Sequence, residues 1–299
     1  RFDADRLAAE VAAIEEREWQ PHPQGFPGNS MLPMVAVDGD PMNAGFAGTM
    51  RPTPYLRRCP YLMQTMAAIG VTIGRSRLMR LAGQAEVMLH ADHGYYWVDR
   101  ARVHVPIITQ PTVAFHCDNA VVHMGAGECW IFDTWRLHRV INADNHQRVH
   151  LVVDTMGGNE FWRLVEAGRP VPSTVVADAW SPKLLPYKPG ETPELPMESA
   201  NVPDVMTPWE VEAHLSFLLD EIEGHQQKPF IVRNVVDFTR DWRALWARFG
   251  ARPEGRVQYE QAMRRFLTAV HGPARTIILK NDPNLNLFGA IMTMVATVS

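Results

Sequence analysis

Two imidazoles and a carboxylate stand where they could share one metal ion: His90-Ala91-Asp92, then His138, with Arg148 ten residues further on. Two histidines and one carboxylate are the set that holds non-haem Fe(II) on one face of an octahedron and leaves the remaining positions open. An arginine beyond the distal histidine adds a second function. Its planar, permanently charged fork binds a dicarboxylate better than lysine would. Iron plus a dicarboxylate cosubstrate predicts an Fe(II)- and 2-oxoglutarate-dependent oxygenase. A zinc hydrolase would need a general base beside the metal and would leave the arginine without a task. His93, next to Asp92, points away from the metal if Asp92 points toward it.

These residues need a rigid frame, and the sequence predicts one. From about 76 to 156, short apolar runs (77–81, 103–109, 129–132 and 149–154) are separated by turn formers such as Gly125-Ala126-Gly127 and Asn142-Ala143-Asp144-Asn145. That is the pattern of a small antiparallel barrel or sandwich. Period-two alternation puts Arg102 and His104 on one face of a strand and Val103 and Val105 on the other, and Arg148-Val149-His150-Leu151 repeats the arrangement. Such a polar face is a ligand wall. His150 itself reads as a packing histidine.

The flanks are different in kind. Leu7, Val11 and Ile14 predict an amphipathic helix within residues 3–19, and residues 20–54 predict loops and short strands. A second helix is expected over 60–69. Eight prolines between 168 and 206 predict an extended linker. Beyond it, Thr207, Pro208 and Glu210 form a capping box that opens a helix ending before Gly224, and further helices are expected over 241–249 and 259–270. Trp209, Trp242 and Trp246 are assigned to the core of this part. The expected organisation is 1–167 as a barrel domain, 168–206 as linker and 207–299 as a helical subdomain serving as lid or dimer interface.

Bulk composition narrows the function classes. A net charge of -4 and no long basic run speak against a nucleic-acid partner, and no stretch is apolar enough for a membrane span. Cys59, Cys117 and Cys129 form no CxxC, so neither a zinc ribbon nor a disulfide framework is expected. No signal-peptide core is visible, although the chain begins at Arg1 rather than Met. The expectation is a cytoplasmic protein acting on a small molecule.

Arg80, His90-Ala91-Asp92, Arg102-Val103-His104, His123-Met124-Gly125-Ala126-Gly127-Glu128, Phe132-Asp133, His138 and Arg148-Val149-His150-Leu151 stand in an order and spacing that resemble the aspartyl/asparaginyl beta-hydroxylase family of 2-oxoglutarate oxygenases, nearest to its L-proline cis-4-hydroxylase branch. The resemblance covers about eighty residues and implies a double-stranded β-helix (jelly-roll, cupin-like) core. It implies Fe(II) on His90, Asp92 and His138, and 2-oxoglutarate on Arg148 with Arg102 and His104 lining its pocket. Arg80, Tyr95, Tyr96 and Trp97 are the candidates for substrate contact. The implied reaction hydroxylates an unactivated C–H of a free amino acid or similar metabolite, consuming O2 and releasing succinate and CO2. Desaturation or cyclisation at the same centre, or a peptide or lipid-linked substrate, starts from the same residues. A non-catalytic 2-oxoglutarate or metal sensor is the reading from another class. The carboxylate at Asp92 speaks against a halogenase, which must vacate that position.

Overall fold

The computed structural model describes residues 1–23, 25–171 and 181–298. Packing divides the chain into two units, Arg1–His90 with Asp99–Asn201, and Ala91–Val98 with Val202–Ser299.

The first unit is a double-stranded β-helix of two antiparallel sheets. Its strands are β1 Gln20–Pro21, β2 Asn29–Val37, β3 Met50–Pro52, β4 Thr72–Leu81, β5 Glu86–His90, β6 Ala101–Ile108, β7 Val113–Cys117, β8 Ala120–Val122, β9 Trp130–Phe132, β10 His138–Asn142 and β11 Arg148–Gly157. The larger sheet runs β1-β2-β4-β11-β6-β9 with β3 added to β2, and the smaller runs β5-β10-β7-β8. β11 is central and buried on both faces. Val149, Leu151 and Val153 are wholly covered on one face, and Arg148, His150 and Asp154 are nearly so on the other. A strand buried on both sides normally reads as a continuous apolar run; the alternation here therefore marks a face reserved for polar chemistry. The smaller sheet closes over its own apolar cluster of Val113, Phe115, Met124 and Val140, with Leu81 from β4.

Helices α1 Ala4–Ala12, α2 Pro54–Arg57, α3 Pro60–Ala68 and α5 Asn159–Glu166 also belong to this unit. α1 starts where Asp3 accepts from the Arg6 amide at 3.0 Å, and it buries Leu7 and Val11. It ends before Ile14. Cys59 offers no side-chain cap to α3, and Glu10 of α1 substitutes, accepting from the amides of Tyr61 and Leu62 at 2.8 and 2.9 Å. Within 20–54, expected to hold loops and short strands, β2 runs unbroken for nine residues. Burial of almost every residue removed its alternation, and Pro33 sits at a register shift, where a missing N–H is tolerated.

Part of the proline-rich stretch, residues 172–180 with Pro172, lies outside the described residues. The described remainder to Asn201 belongs to the first unit. Ile73 donates its amide to the Pro196 carbonyl and accepts from the Glu198 amide, and Glu198 forms a buried ion pair with Arg100 at 3.0 Å.

The second unit holds α4 Tyr95–Val98, α6 Pro208–Asp220, α7 Lys228–Phe249, α8 Arg256–Arg275 and α9 Leu287–Met294. The capping box at Thr207 and Glu210 forms as expected. α7 and α8 are much longer than the predicted segments, because their apolar stripes continue through Ile231, Val235 and Ala274. Trp242 is fully buried beside Phe238 and Tyr259, ring centroids 5.3 and 4.6 Å away. Trp209 is 65% exposed and is not a core residue, a correction to the sequence reading. Among the described residues, no helix is long and apolar enough to cross a membrane.

Leu151, fully buried on the central strand of the larger sheet, is the most direct probe of that packing. We predict that Leu151→Ala lowers the unfolding free energy by about 2–5 kcal/mol in urea titrations. A loss under about 1 kcal/mol would show that the strand is not a packing centre.

Candidate metal centre and carboxylate pocket

β10 lies antiparallel to β5 with His138 directly opposite His90. The two imidazoles therefore meet with centroids 4.3 Å apart. Each is oriented by its own strand: His90 Nδ1 lies 2.8 Å from the Met88 carbonyl, and His138 Nδ1 lies 2.8 Å from the Arg136 carbonyl. A carbonyl oxygen only accepts, so both Nδ1 atoms carry the proton and Nε2 is the ligating nitrogen of each ring. Second partners of this kind orient histidine ligands in metal sites. Two residues after His90, Asp92 completes a group whose ligand atoms all lie within 4.8 Å of one another. That donor set fits Fe(II). A register shift between His138 and Val140, a device common beside active sites, lies next to the ligand.

Arg148, His150 and Asp154 share one face of β11, opposite Arg102 and His104 of β6. Arg148 is 3% exposed, and burial alone pushes its guanidinium down to about 9. Its terminal nitrogen donates to His150 Nδ1 at 2.6 Å. Its Nε has no hydrogen-bond partner among the described residues. A buried cation of this kind wants an anion. His104 Nδ1 lies 3.4 Å from His150 Nδ1. Since a guanidinium only donates, His150 Nδ1 accepts, and His104 is the donor toward it. Burial, followed by the Arg148 charge, holds both histidines well below the usual imidazole range, so they are neutral.

The two halves of the site meet through phenylalanine. The Phe132 ring stands 5.3 Å from His104 and 5.1 Å from His138, so one aromatic side chain lies against both the polar face and the candidate metal cluster.

Several expected residues have other roles. Arg102 donates to Asp154 at 2.8 Å in a buried ion pair, and Arg75 approaches the same carboxylate at 4.0 Å. Arg102, which the resemblance implied would line the 2-oxoglutarate pocket, is thus held in an ion pair on that face. Arg80 points to the opposite face of its sheet, paired with Val149 in register. There it grips Glu16 with two bonds of 2.6 Å, donates to Ser30 and stacks on Trp19. It is a structural ion pair, and the substrate role is withdrawn. Tyr95 and Tyr96 pack within the helical unit: Tyr95 donates to Glu210 at 3.0 Å and Tyr96 is 4% exposed. Trp97 lies edge-on to Tyr96.

His150 was read as a packing histidine rather than as a partner of Arg148, and Asp154 was missed. The signal was present, because the period that put Arg148 on the polar face also puts residues 150 and 154 there.

The neutral, buried His104 and His150 give stability a defined pH dependence. Unfolded, both would protonate near 6.5; folded, they resist, so the unfolded chain binds more protons as pH falls. Stability is fully present above that value and declines below it, by about 1.4 kcal/mol per pH unit for each histidine. We predict this slope in urea titrations of the metal-free protein between about pH 7 and 5.5, and its flattening in a His104→Asn/His150→Gln variant. An unchanged slope in the variant would assign the loss to other groups.

Residues 46–157 match the family described as aspartyl/asparaginyl beta-hydroxylase. Two curated relatives from Streptomyces sp are similar: L-proline cis-3-hydroxylase 1, 29% identical over 206 residues (63% of this chain, 68% of the relative), and L-proline cis-3-hydroxylase 2, 26% identical over 211 residues (65% and 66%). The chain thus spans about two thirds of each relative. These names carry 3-hydroxylation where the motifs had resembled the 4-hydroxylating branch. Among solved structures, an oxidoreductase of the 2OG-Fe(II) oxygenase family from Burkholderia pseudomallei aligns with 52% of this chain and 80% of its own, at 12% identity and a TM-score of 0.34. The matched segment 46–157 carries His90, Asp92 and His138 together with Arg148, so the whole candidate site falls within the similarity to the aspartyl/asparaginyl beta-hydroxylase family.

Proposed function

We propose that the protein is an Fe(II)- and 2-oxoglutarate-dependent dioxygenase that hydroxylates an unactivated C–H of a free amino acid, with L-proline and its close analogues the first substrates to test. The observation that carries this reading is the His90, Asp92 and His138 cluster on the same small barrel as a buried arginine whose Nε has no partner among the described residues. His90 and His138 would offer Nε2 and Asp92 a carboxylate oxygen. Iron bound there, with 2-oxoglutarate and O2, supplies the oxidant for C–H hydroxylation and releases succinate and CO2.

The chain's own residues bind and position. Arg148 takes the distal carboxylate of 2-oxoglutarate in a fork, and that contact returns the energy of keeping a guanidinium out of water. His150 accepts from Arg148 and fixes its orientation. His104 and Phe132 form the wall beside it and exclude water. Asp154 pairs with Arg102 and lies 4.0 Å from Arg75, which anchors the basic groups of the same face. An amino-acid substrate agrees with the relatives' printed names. The three cysteines are free, as suits a reducing cytoplasm that keeps iron ferrous.

The test is turnover. With Fe(II), 2-oxoglutarate and O2, L-proline or a near analogue should give succinate in step with a product one oxygen heavier, and Asp92→Ala should lower the rate at least about a hundredfold. A product lighter by two hydrogens would move the reading to desaturation. No succinate with any free amino acid, from protein that binds both iron and 2-oxoglutarate, would exclude the amino-acid reading.

A further inference from the structure

Asp92, the carboxylate of the metal cluster, lies in the Ala91–Val98 segment, and that segment packs as part of the C-terminal helical unit. The contacts are specific. Tyr95 donates its hydroxyl to Glu210 Oε1 at 3.0 Å, and Glu210 Oε2 accepts from the amide and hydroxyl of Thr207 at 2.8 and 2.5 Å. Both carboxylate oxygens are thus committed, so the N-terminal turn of α6 presents a fixed acceptor. The Tyr95 ring meets the ring of His214, one turn further along α6, edge-on with centroids 5.5 Å apart. His214 is 2% exposed and its Nδ1 donates to the Met294 carbonyl of α9 at 3.2 Å, so its ring cannot swing. On the other side of the segment, His93 Nδ1 lies 3.5 Å from the Thr293 hydroxyl. Gly94 turns the chain between these anchors at φ +138°, a conformation that a side chain would strain.

We propose that Tyr95, held by Glu210 and His214, is a positioning residue for Asp92. The two histidines are fixed by strand register, but Asp92 has left the strand and depends on the anchoring of the residues after it. Tyr95 is only three positions further along the chain, so anchoring that ring limits where the carboxylate can sit. The capping box at Thr207 and Glu210 then serves two ends: it starts α6, and it presents the acceptor for Tyr95.

This inference rests on the metal-centre reading above, and the test separates the two. Co(II) would be titrated into the metal-free protein and its visible absorption followed, alongside the melting temperature and hydrogen exchange of the 91–98 amides. Tyr95→Phe removes one oxygen and leaves the ring. It should raise the Co(II) Kd about tenfold, the lower end of what outer partners of metal ligands contribute, and speed exchange in 91–98 with the melting temperature nearly unchanged. In an Asp92→Ala background the same change should leave the Kd where it is, because the group being positioned is gone. An unchanged Kd in Tyr95→Phe, or an equal rise in the Asp92→Ala background, would overturn the proposal while leaving the metal centre intact. Failure of the unmodified protein to bind Co(II) would overturn the metal-centre reading itself.

Discussion

The antiparallel register of β5 against β10 is the constraint on which the site depends. Side chains directly opposite one another in such a pair project to the same face about 4.5–5.5 Å apart at Cβ, close enough for two imidazoles to share an ion. A slip of one residue would send one of them to the other face. The apolar cluster of Val113, Phe115 and Val140 beneath the smaller sheet holds that register in place. The carbonyls of Met88 and Arg136 then choose the tautomer. Stability and ligand geometry thus have a common origin in one sheet.

The larger sheet makes the opposite compromise. Its central strand could have been apolar on both faces, as strands so deeply buried usually are. Instead Arg148, His150 and Asp154 are buried on one face, with Arg102 and His104 opposite. Desolvating such groups is unfavourable unless each finds a partner. Asp154 serves Arg102, and His150 serves Arg148 only as a neutral acceptor. Arg148 is left with a residual demand for negative charge, which is what the proposed dicarboxylate cosubstrate would meet, and the same desolvation keeps His104 and His150 uncharged beside it.

Much of this was legible in the sequence, for stated reasons. H-x-D with a distal histidine and an arginine ten residues later is a local and spaced signal, and the capping box at Thr207 is a local one. Alternation located the polar face of β6 and β11. What failed depended on partners distant in sequence. Arg80 looked available for substrate because nothing nearby reveals that Glu16, sixty-four residues away, reaches it. Arg102 read simply as part of a ligand wall because its partner Asp154 is fifty-two residues off. β2 was hidden by burial on both faces, and Trp209 looked like core because helical spacing does not say which side of a helix is covered. The docking of Tyr95 on α6 joins positions more than a hundred residues apart, and no periodicity encodes it.

The central claim is that the triad and Arg148 form one site for iron and 2-oxoglutarate, and anaerobic visible spectroscopy tests it most directly. Fe(II) added to the protein should give, on titration with 2-oxoglutarate, the weak charge-transfer band of a chelated 2-oxo acid. In Arg148→Gln the half-saturating concentration should rise about tenfold or more, as expected for loss of a charge-assisted contact of roughly 1.5–3 kcal/mol. No band with both components in excess, or a half-saturation that ignores Arg148, would contradict the account.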